Sequence, residues 1–286
     1  MTTEAGAHRR VRRAPSAFGG GAVLLLVCLS AVAAPWLAPH SPTEQFLERR
    51  LRPPAWAEHG SWANPLGCDQ LGRDILSRLI YGARISLVVG LVSVVISGLI
   101  GMTLGLLAGY YGGRLDSVLM RLVDIQLAFP FILLAITVVA VLGAGLRNVI
   151  IVLGIGNWMV YGRLVRGQVL ALREREFVIA AQALGAPSHT IIPRHILPNV
   201  LTPVIIVGTF TVASNVITEA SLSFLGLGVQ PSIPTWGAML ADGRGYLARA
   251  WWLTALPGLA ILLTALSINL LGDWLRDRLD PRLRGL

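Results

Sequence analysis

The chain contains no lysine, because all 24 of its basic residues are arginine. The phosphate-binding loop of P-loop ATPases requires a Gly-Lys-Ser/Thr sequence, so this chain cannot form one and cannot hydrolyse ATP by that route. The histidines are also scattered, and none stands at a spacing from a carboxylate that is typical of a zinc site. We therefore predict no catalytic, cofactor-binding or metal site.

Cysteine and charge are scarce as well. Of the two cysteines, Cys28 lies in an apolar run and Cys68 in a polar loop, which predicts neither a disulfide nor a cysteine metal site. Charged residues make up 14% of the chain and hydrophobic residues 54%, with a mean hydropathy of +0.67. A soluble domain usually carries about 25% charged residues. The composition therefore indicates a polytopic membrane protein.

The uncharged runs predict an all-α fold with six transmembrane helices of about 20 residues each. Pro130 is expected to bend the third helix, and the short fourth helix is expected to continue past Arg163. The first run resembles a signal peptide, but Pro35 directly after its small residues favours a retained helix. The predicted spans are residues 18–39, 85–113, 117–145, 148–162, 200–225 and 251–272.

Most of the arginines fall in cytoplasmic segments if both termini lie inside the cell, so the positive-inside rule predicts an N-in, C-in topology. The same rule accounts for the net charge of +9, and we predict no binding to nucleic acid. The predicted organisation is a cytoplasmic basic tail (1–17), a first span (18–39), an extracytoplasmic loop (40–82), a five-helix core (83–275) with a cytoplasmic loop at 170–199, and a cytoplasmic tail (276–286).

Two patterns near the second span have structural interpretations. Residues at 75, 76, 79 and 80 are apolar and share one helical face, opposite Arg73, Asp74 and Arg78, which predicts a helix in the membrane interface. Small residues then recur every four positions and permit close helix packing, either within the chain or against a partner membrane protein. These residues are Ser93, Ser97, Gly101, Gly105 and Gly109.

Charged and polar residues inside the spans leave two interpretations open. Glu219 and Asn215, one turn apart, would either line a substrate path or form a partnered packing contact, because an isolated carboxylate is costly in lipid. Asp124 stands three residues after Arg121, which predicts an ordinary ion pair at the inner membrane edge.

A polar island at Glu174–Asn199 separates two long apolar runs. Glu174 and Glu176 favour the start of a short helix, and Gly185 can end it in a left-handed conformation. A helix this short needs a surface on which to pack. That surface is either its own bundle or a groove of a soluble partner, and its apolar stripe consists of Phe177, Ala180, Ala181 and Leu184.

Ordered motifs from about residue 64 to the end resemble the dipeptide/oligopeptide/nickel ABC-transporter permease family, in its DppC/OppC-type subunit. The segments that carry the resemblance are PLG at 65–67, DQLGRD at 69–74, LSRLIYGAR at 76–84, RLVRGQV at 163–169, ALGA at 183–186, RHILPN at 194–199, SFLGLG at 223–228, WG at 236–237 and NLLGD at 269–273. In this family, the Ala-Ala-x-x-x-Gly loop is where permeases bind their ATPases. Ile179 departs from the pattern, because the family has an acid at that position.

The resemblance implies a type I ABC importer permease in the bacterial inner membrane, which forms half of a pore with a sister permease. It implies two ABC ATPase subunits, which bind ATP and Mg, and an extracytoplasmic substrate-binding protein. Peptides are the expected substrate, and nickel, haem or another small solute are the alternative substrates. The alternative from another functional class is a secondary transporter driven by an ion gradient. The residues it assigns to ATPase docking are Glu176, Phe177, Ala180, Ala181, Leu184, Gly185, Leu197 and Pro198.

Overall fold

The computed structural model describes residues 3–230 and 232–279, with the backbone alone for residues 3–16. Within these ranges the chain is almost entirely helical and has no strand, apart from an isolated bridge between Cys68 and Asp74. The helices are α1 (Thr3–Val32), α2 (Ala34–Leu37), α3 (Ile75–Tyr111), α4 (Gly113–Ala128), α5 (Phe131–Leu142), α6 (Leu146–Gly156), α7 (Trp158–Arg173), α8 (Glu176–Ala183), α9 (Ser188–Ile191), α10 (Leu197–Phe224), α11 (Trp236–Gly243) and α12 (Trp252–Leu279).

All six predicted spans fall on helical segments, but some of them are divided between two helices and their lengths differ. Four helical segments of the described residues are long and apolar enough to cross a membrane: Ile75–Tyr111, Leu146–Arg173, Ser188–Phe224 and Trp252–Leu279. The third predicted span is broken, because α4 and α5 meet at an angle of 89°. The first contributes the shorter apolar stretch Ala17–Val32. The predicted bend at Pro130 is therefore an interruption of the helix, with Pro130 at the N-cap of α5.

The fifth span begins earlier than the predicted residue 200. Its helix runs without interruption from Ser188 and contains a π-helical turn at Ile192–Ile196 before α10 begins. Wide turns of this kind accommodate a proline that cannot donate to the helical ladder, here Pro193. The second half of the polar island is consequently an extension of a span and not a separate segment.

The row of small residues on α3 packs within the chain, as one of the two interpretations predicted. A Cβ atom added at Gly101 would lie 2.2 Å from the Trp158 carbonyl oxygen, and one at Gly105 would lie 2.6 Å from that of Gly162. Ser93 and Ser97 are buried on the same row. The backbones of α3 and α7 therefore touch over several turns, and this contact organises the centre of the bundle.

The prediction of a separate interfacial helix before the second span is wrong. Ile75 is the first residue of α3, and Asp74 caps it by accepting a hydrogen bond from the Ser77 backbone N–H at 2.8 Å. The charged face does not meet water, since Arg73 and Arg78 are 7% and 1% exposed. The periodicity was that of a helix, but its polar side is buried against other polar groups.

Those groups form a four-residue charge cluster, defined as Asp69, Arg73, Arg78 and Asp242. The Asp69 Oδ2 atom accepts from Arg73 Nε at 2.6 Å and from Arg78 Nη1. The Asp242 Oδ2 atom accepts from Arg73 Nη2 at 2.9 Å and from Arg78 Nη2 at 3.1 Å. The cluster therefore joins the 40–74 loop and the start of α3 to α11, a helix more than 150 residues later in the chain.

Asp124 also has a different partner from the predicted one. Its Oδ1 atom accepts a hydrogen bond from Arg163 Nη2 of α7 at 2.6 Å, and both side chains are 56% exposed. The i,i+3 pairing with Arg121 was therefore wrong, because α4 lies against α7 and brings Arg163 closer.

Cys68 lies beside the charge cluster and is fully buried. Burial, and secondarily the Asp74 carboxylate, raise the pKa of its thiol to about 11.

Because the thiolate is the reacting form, we expect Cys68 in a Cys28→Ser protein to resist alkylation at pH 8 and to react once the pH approaches 11 or SDS unfolds the protein. Mass spectrometry of the maleimide adduct measures this. Labelling at pH 8 as fast as in the unfolded protein would contradict it.

Candidate ATPase-docking site

Val178 is the fully buried side chain that holds helix α8 to the bundle. Val178 is fully buried and packs with Val165 and Val169 of α7 and with Ile191 and Ile196 of the following helical segment. Such a short helix has little stability of its own, so these contacts are what fix its position. Val178 was not among the residues predicted from the sequence, because the stripe through Phe177 and Leu184 is the more apolar one.

The end of α8 is the predicted glycine stop. Gly185 has a φ of +77°, its N–H donates to the Gln182 carbonyl at 2.9 Å, and the Ala186 N–H donates to the Ala181 carbonyl at 3.0 Å. These two bonds constitute a Schellman motif, which glycine adopts without steric strain. A Cβ atom added at Gly185 would meet no atom within 4 Å, so the turn is open on its outer side.

The predicted docking stripe lies mostly on the free side of α8. Leu184 is 88% exposed and Phe177 45%, and Ala180 is exposed beside them. Ala181 is half-buried and contacts the cluster around Val178, so it belongs partly to the packing face. We call the surface of Phe177, Ala180 and Leu184 the docking face.

The remaining predicted docking residues surround this face. Glu176 is exposed in the first turn of α8. Leu197 is half-buried and Pro198 exposed in the first turn of α10, close to His195, whose ring lies 6.3 Å from that of Phe177. The structure therefore brings the α8 residues together and places Leu197 and Pro198 beyond His195.

Ile179, which occupies the position where the family has an acid, is 51% exposed and adds apolar surface to α8. Arg173 is engaged within the chain, because its Nη1 donates to the Gly109 carbonyl at 3.0 Å and its guanidinium lies over the Tyr110 ring. Arg175 stays exposed.

The two predicted path-lining residues are internal. Asn215 Nδ2 donates to Ser93 Oγ at 2.8 Å, and Asn215 Oδ1 accepts from Asn157 Nδ2 at 2.9 Å. Glu219 is fully buried, and Ser223 Oγ donates to its Oε1 at 2.8 Å. Neither side chain reaches the surface of this chain, and the contacts favour the packing interpretation.

Comparison with known families identifies the fold and the class of protein. Residues 101–285 match the model of the binding-protein-dependent transport system inner membrane component, and residues 5–54 match the N-terminal TM domain of oligopeptide transport permease C. The chain belongs to this family of inner membrane permeases. It is therefore a membrane component of an ABC importer, a class that works with ATPase subunits and a binding protein.

Relatives of the permease are similar over nearly its whole length. It is 49% identical to the di/tripeptide transport system permease protein DppC of Pseudomonas aeruginosa, over 94% of this chain and 88% of that one. It is 45% identical to the glutathione transport system permease protein GsiD of Pectobacterium atrosepticum, over 96% of this chain and 90% of that one.

Among solved structures, the permease resembles a chain of the MetNI methionine ABC transporter in an inward-facing form. The TM-score is 0.59 at 22% identity, covering 71% of this chain and 96% of the other. A second likeness, to an amino acid ABC transporter, has a TM-score of 0.56 at 13% identity, covering 71% of this chain and 95% of the other. At these identities the likeness shows the fold, which is that of an ABC importer permease.

Proposed function

We propose that this permease forms half of the pore of an ATP-driven importer of dipeptides or other short peptides, with both termini in the cytoplasm. The observation that carries the proposal is a short helix, α8, with an apolar docking face that the described part of the chain leaves exposed. Relatives named for di- and tripeptide transport support the peptide substrate. A sister permease, two ATPase subunits and an external binding protein would complete the transporter, and the ATPases would supply ATP and Mg binding.

The packing of α8 indicates how ATPase closure would move the spans. Val178 contacts α7 on one side and the helical start of α10 on the other. A push on Leu184 and Phe177 would therefore reach two spans through one buried side chain, because close-packed interiors transmit displacement. Alternating access would follow from the resulting tilt of α7 and α10.

The test is uptake of labelled dipeptide into proteoliposomes that contain the permease, its sister, both ATPases and the binding protein. We expect uptake to require ATP and to persist when ionophores collapse the ion gradients. Glutathione, nickel and haem, each with its own binding protein, serve as competing substrates. Uptake without the ATPases, driven by an ion gradient, would instead indicate a secondary transporter.

A further inference from the structure

Two helix breaks lie side by side in the bundle. The first separates α4 from α5 at Phe129 and Pro130, and the second separates α6 from α7 at Asn157. Gln126 joins them, since its Nε2 donates to the Ile155 carbonyl at 3.2 Å and to the Gly156 carbonyl at 3.1 Å. The side-chain amide thus binds carbonyls that the second break releases from the helical ladder.

These breaks lie near the middle of the membrane. Leu146 is the first residue of a segment long enough to cross the membrane, and Ile155 stands nine residues later, about 14 Å along the helix. The hydrocarbon core is about 30 Å thick. On the inner side of the break, Asn157 Nδ2 donates to Asn215 Oδ1 at 2.9 Å. A hydrogen bond inside the bundle therefore engages the Asn157 side chain on one side of the break, and Gln126 binds the free carbonyls on the other side.

The Gln126 side faces outward from the chain. Phe129 is 63% exposed and Ile155 is 52% exposed. We define Gln126, Phe129 and Ile155 as the break face. Irregular backbone with polar groups at membrane depth is tolerated only where protein buries it or where it lines a water-filled cavity. Lipid would be a costly neighbour for the half-buried amide of Gln126 and for the exposed charges of the nearby Asp124 and Arg163.

The ion pair between Asp124 and Arg163 distinguishes water from a covering protein. The pair joins Asp124, two residues before Gln126 in α4, to Arg163, six residues after Asn157 in α7, and both side chains are 56% exposed. In water an exposed pair of this kind costs little, whereas a dry protein interface would pay to desolvate both charges. Water next to this side of the chain is the arrangement with the lower cost.

We propose that the break face lines the aqueous path through which the peptide crosses the membrane. This inference rests on the proposed function and adds the surface of the chain along which the cargo moves. A peptide carries amide groups and terminal charges, which lose less hydration energy beside Gln126 and the helix breaks than beside an apolar helix surface. The buried Asn215 would then support the break from behind and not contact cargo.

Cysteine accessibility in the assembled transporter tests the path. The parent is the Cys28→Ser protein, whose remaining Cys68 is buried. Phe129→Cys and Ile155→Cys are compared with Leu262→Cys on α12, which is 61% exposed and lies ten residues from the start of its helix, at a similar depth. Proteoliposomes are treated with a charged, membrane-impermeant thiosulfonate, with and without dipeptide and binding protein, and the rates of modification are measured.

We expect modification at Phe129→Cys and Ile155→Cys to be at least about tenfold faster than at Leu262→Cys, because the thiolate requires surrounding water. Transported peptide should slow it. Equal rates at all three positions in the assembled transporter would overturn the inference. ATP-driven uptake by the parent protein is measured separately. If uptake is intact but the labelling rates are equal, the inference about the path is wrong and the proposed function stands.

Discussion

Gly101→Ala is expected to destabilise the permease by about 1–3 kcal/mol, the usual cost of overpacking a tight interior. The added Cβ would lie 2.2 Å from the Trp158 carbonyl oxygen and 2.6 Å from the Tyr161 Cβ. Backbone and Cβ atoms cannot move aside as a flexible side-chain tip can, so α3 and α7 must separate. The thermal midpoint in detergent, measured by fluorescence-detected size exclusion, should fall.

Gly98→Ala is the matched control, one turn earlier on the same helix. Its Cβ would meet a Tyr161 ring carbon at 3.9 Å, which is an ordinary contact. We expect little change in its thermal midpoint, and alanine at this position also favours the helix. Equal midpoints for the two variants would show that the α3–α7 contact is looser than described.

Asp69→Asn is expected to have a larger effect, about 3–5 kcal/mol, because it removes one partner of a buried ion-pair network. The Asp69 Oδ2 atom accepts from Arg73 and Arg78, and its Oδ1 atom accepts the backbone N–H groups of Leu71 and Arg73 at 2.8 and 2.9 Å. Of the two carboxylates that contact them, both guanidinium groups would keep Asp242. Loss of the folded peak in size exclusion, or a large drop in its thermal midpoint, measures the effect.

The stability control is Asp124→Asn. Its pair with Arg163 is 56% exposed on both sides, so its loss should cost no more than about 1 kcal/mol. If Asp69→Asn were as stable as Asp124→Asn, the charge cluster would not be what joins the 40–74 loop to α11.

The local features of the chain were largely predictable from the sequence. Long uncharged runs mark the helices because backbone groups in lipid must be satisfied internally. Gly185 marked the end of α8, since few other residues adopt a positive φ. The four-residue spacing of Gly101 and Gly105 marked close packing, although the pattern by itself did not say against what.

Features that depend on distant contacts were not predictable in the same way. Arg73 and Arg78 look like the water-facing side of a surface helix until Asp242, more than 160 residues later, is placed against them. Val178 was missed because its partners come from α7 and from the helical segment that begins at Ser188. Asn215 looked available to substrate because nothing in its own helix indicates Ser93 as its neighbour.

The central claim is that α8 is a docking element whose exposed apolar face binds an ATPase. Leu184→Asp places a charge on that face at its most exposed residue, which is the C-cap of α8 and is 88% exposed. Gln182→Asp adds the same charge to the same helix on a different side. Neither change touches Val178, so both proteins should retain the profile of the folded permease.

The most direct measurement is binding of the ATPase subunits to detergent-solubilised permease pairs that carry wild-type Leu184, Leu184→Asp or Gln182→Asp. We predict that Leu184→Asp weakens binding at least about tenfold, since loss of an interface hot spot costs about 2 kcal/mol or more. Gln182→Asp should bind as the wild type does. Equal ATPase binding by the wild type and Leu184→Asp would contradict the account.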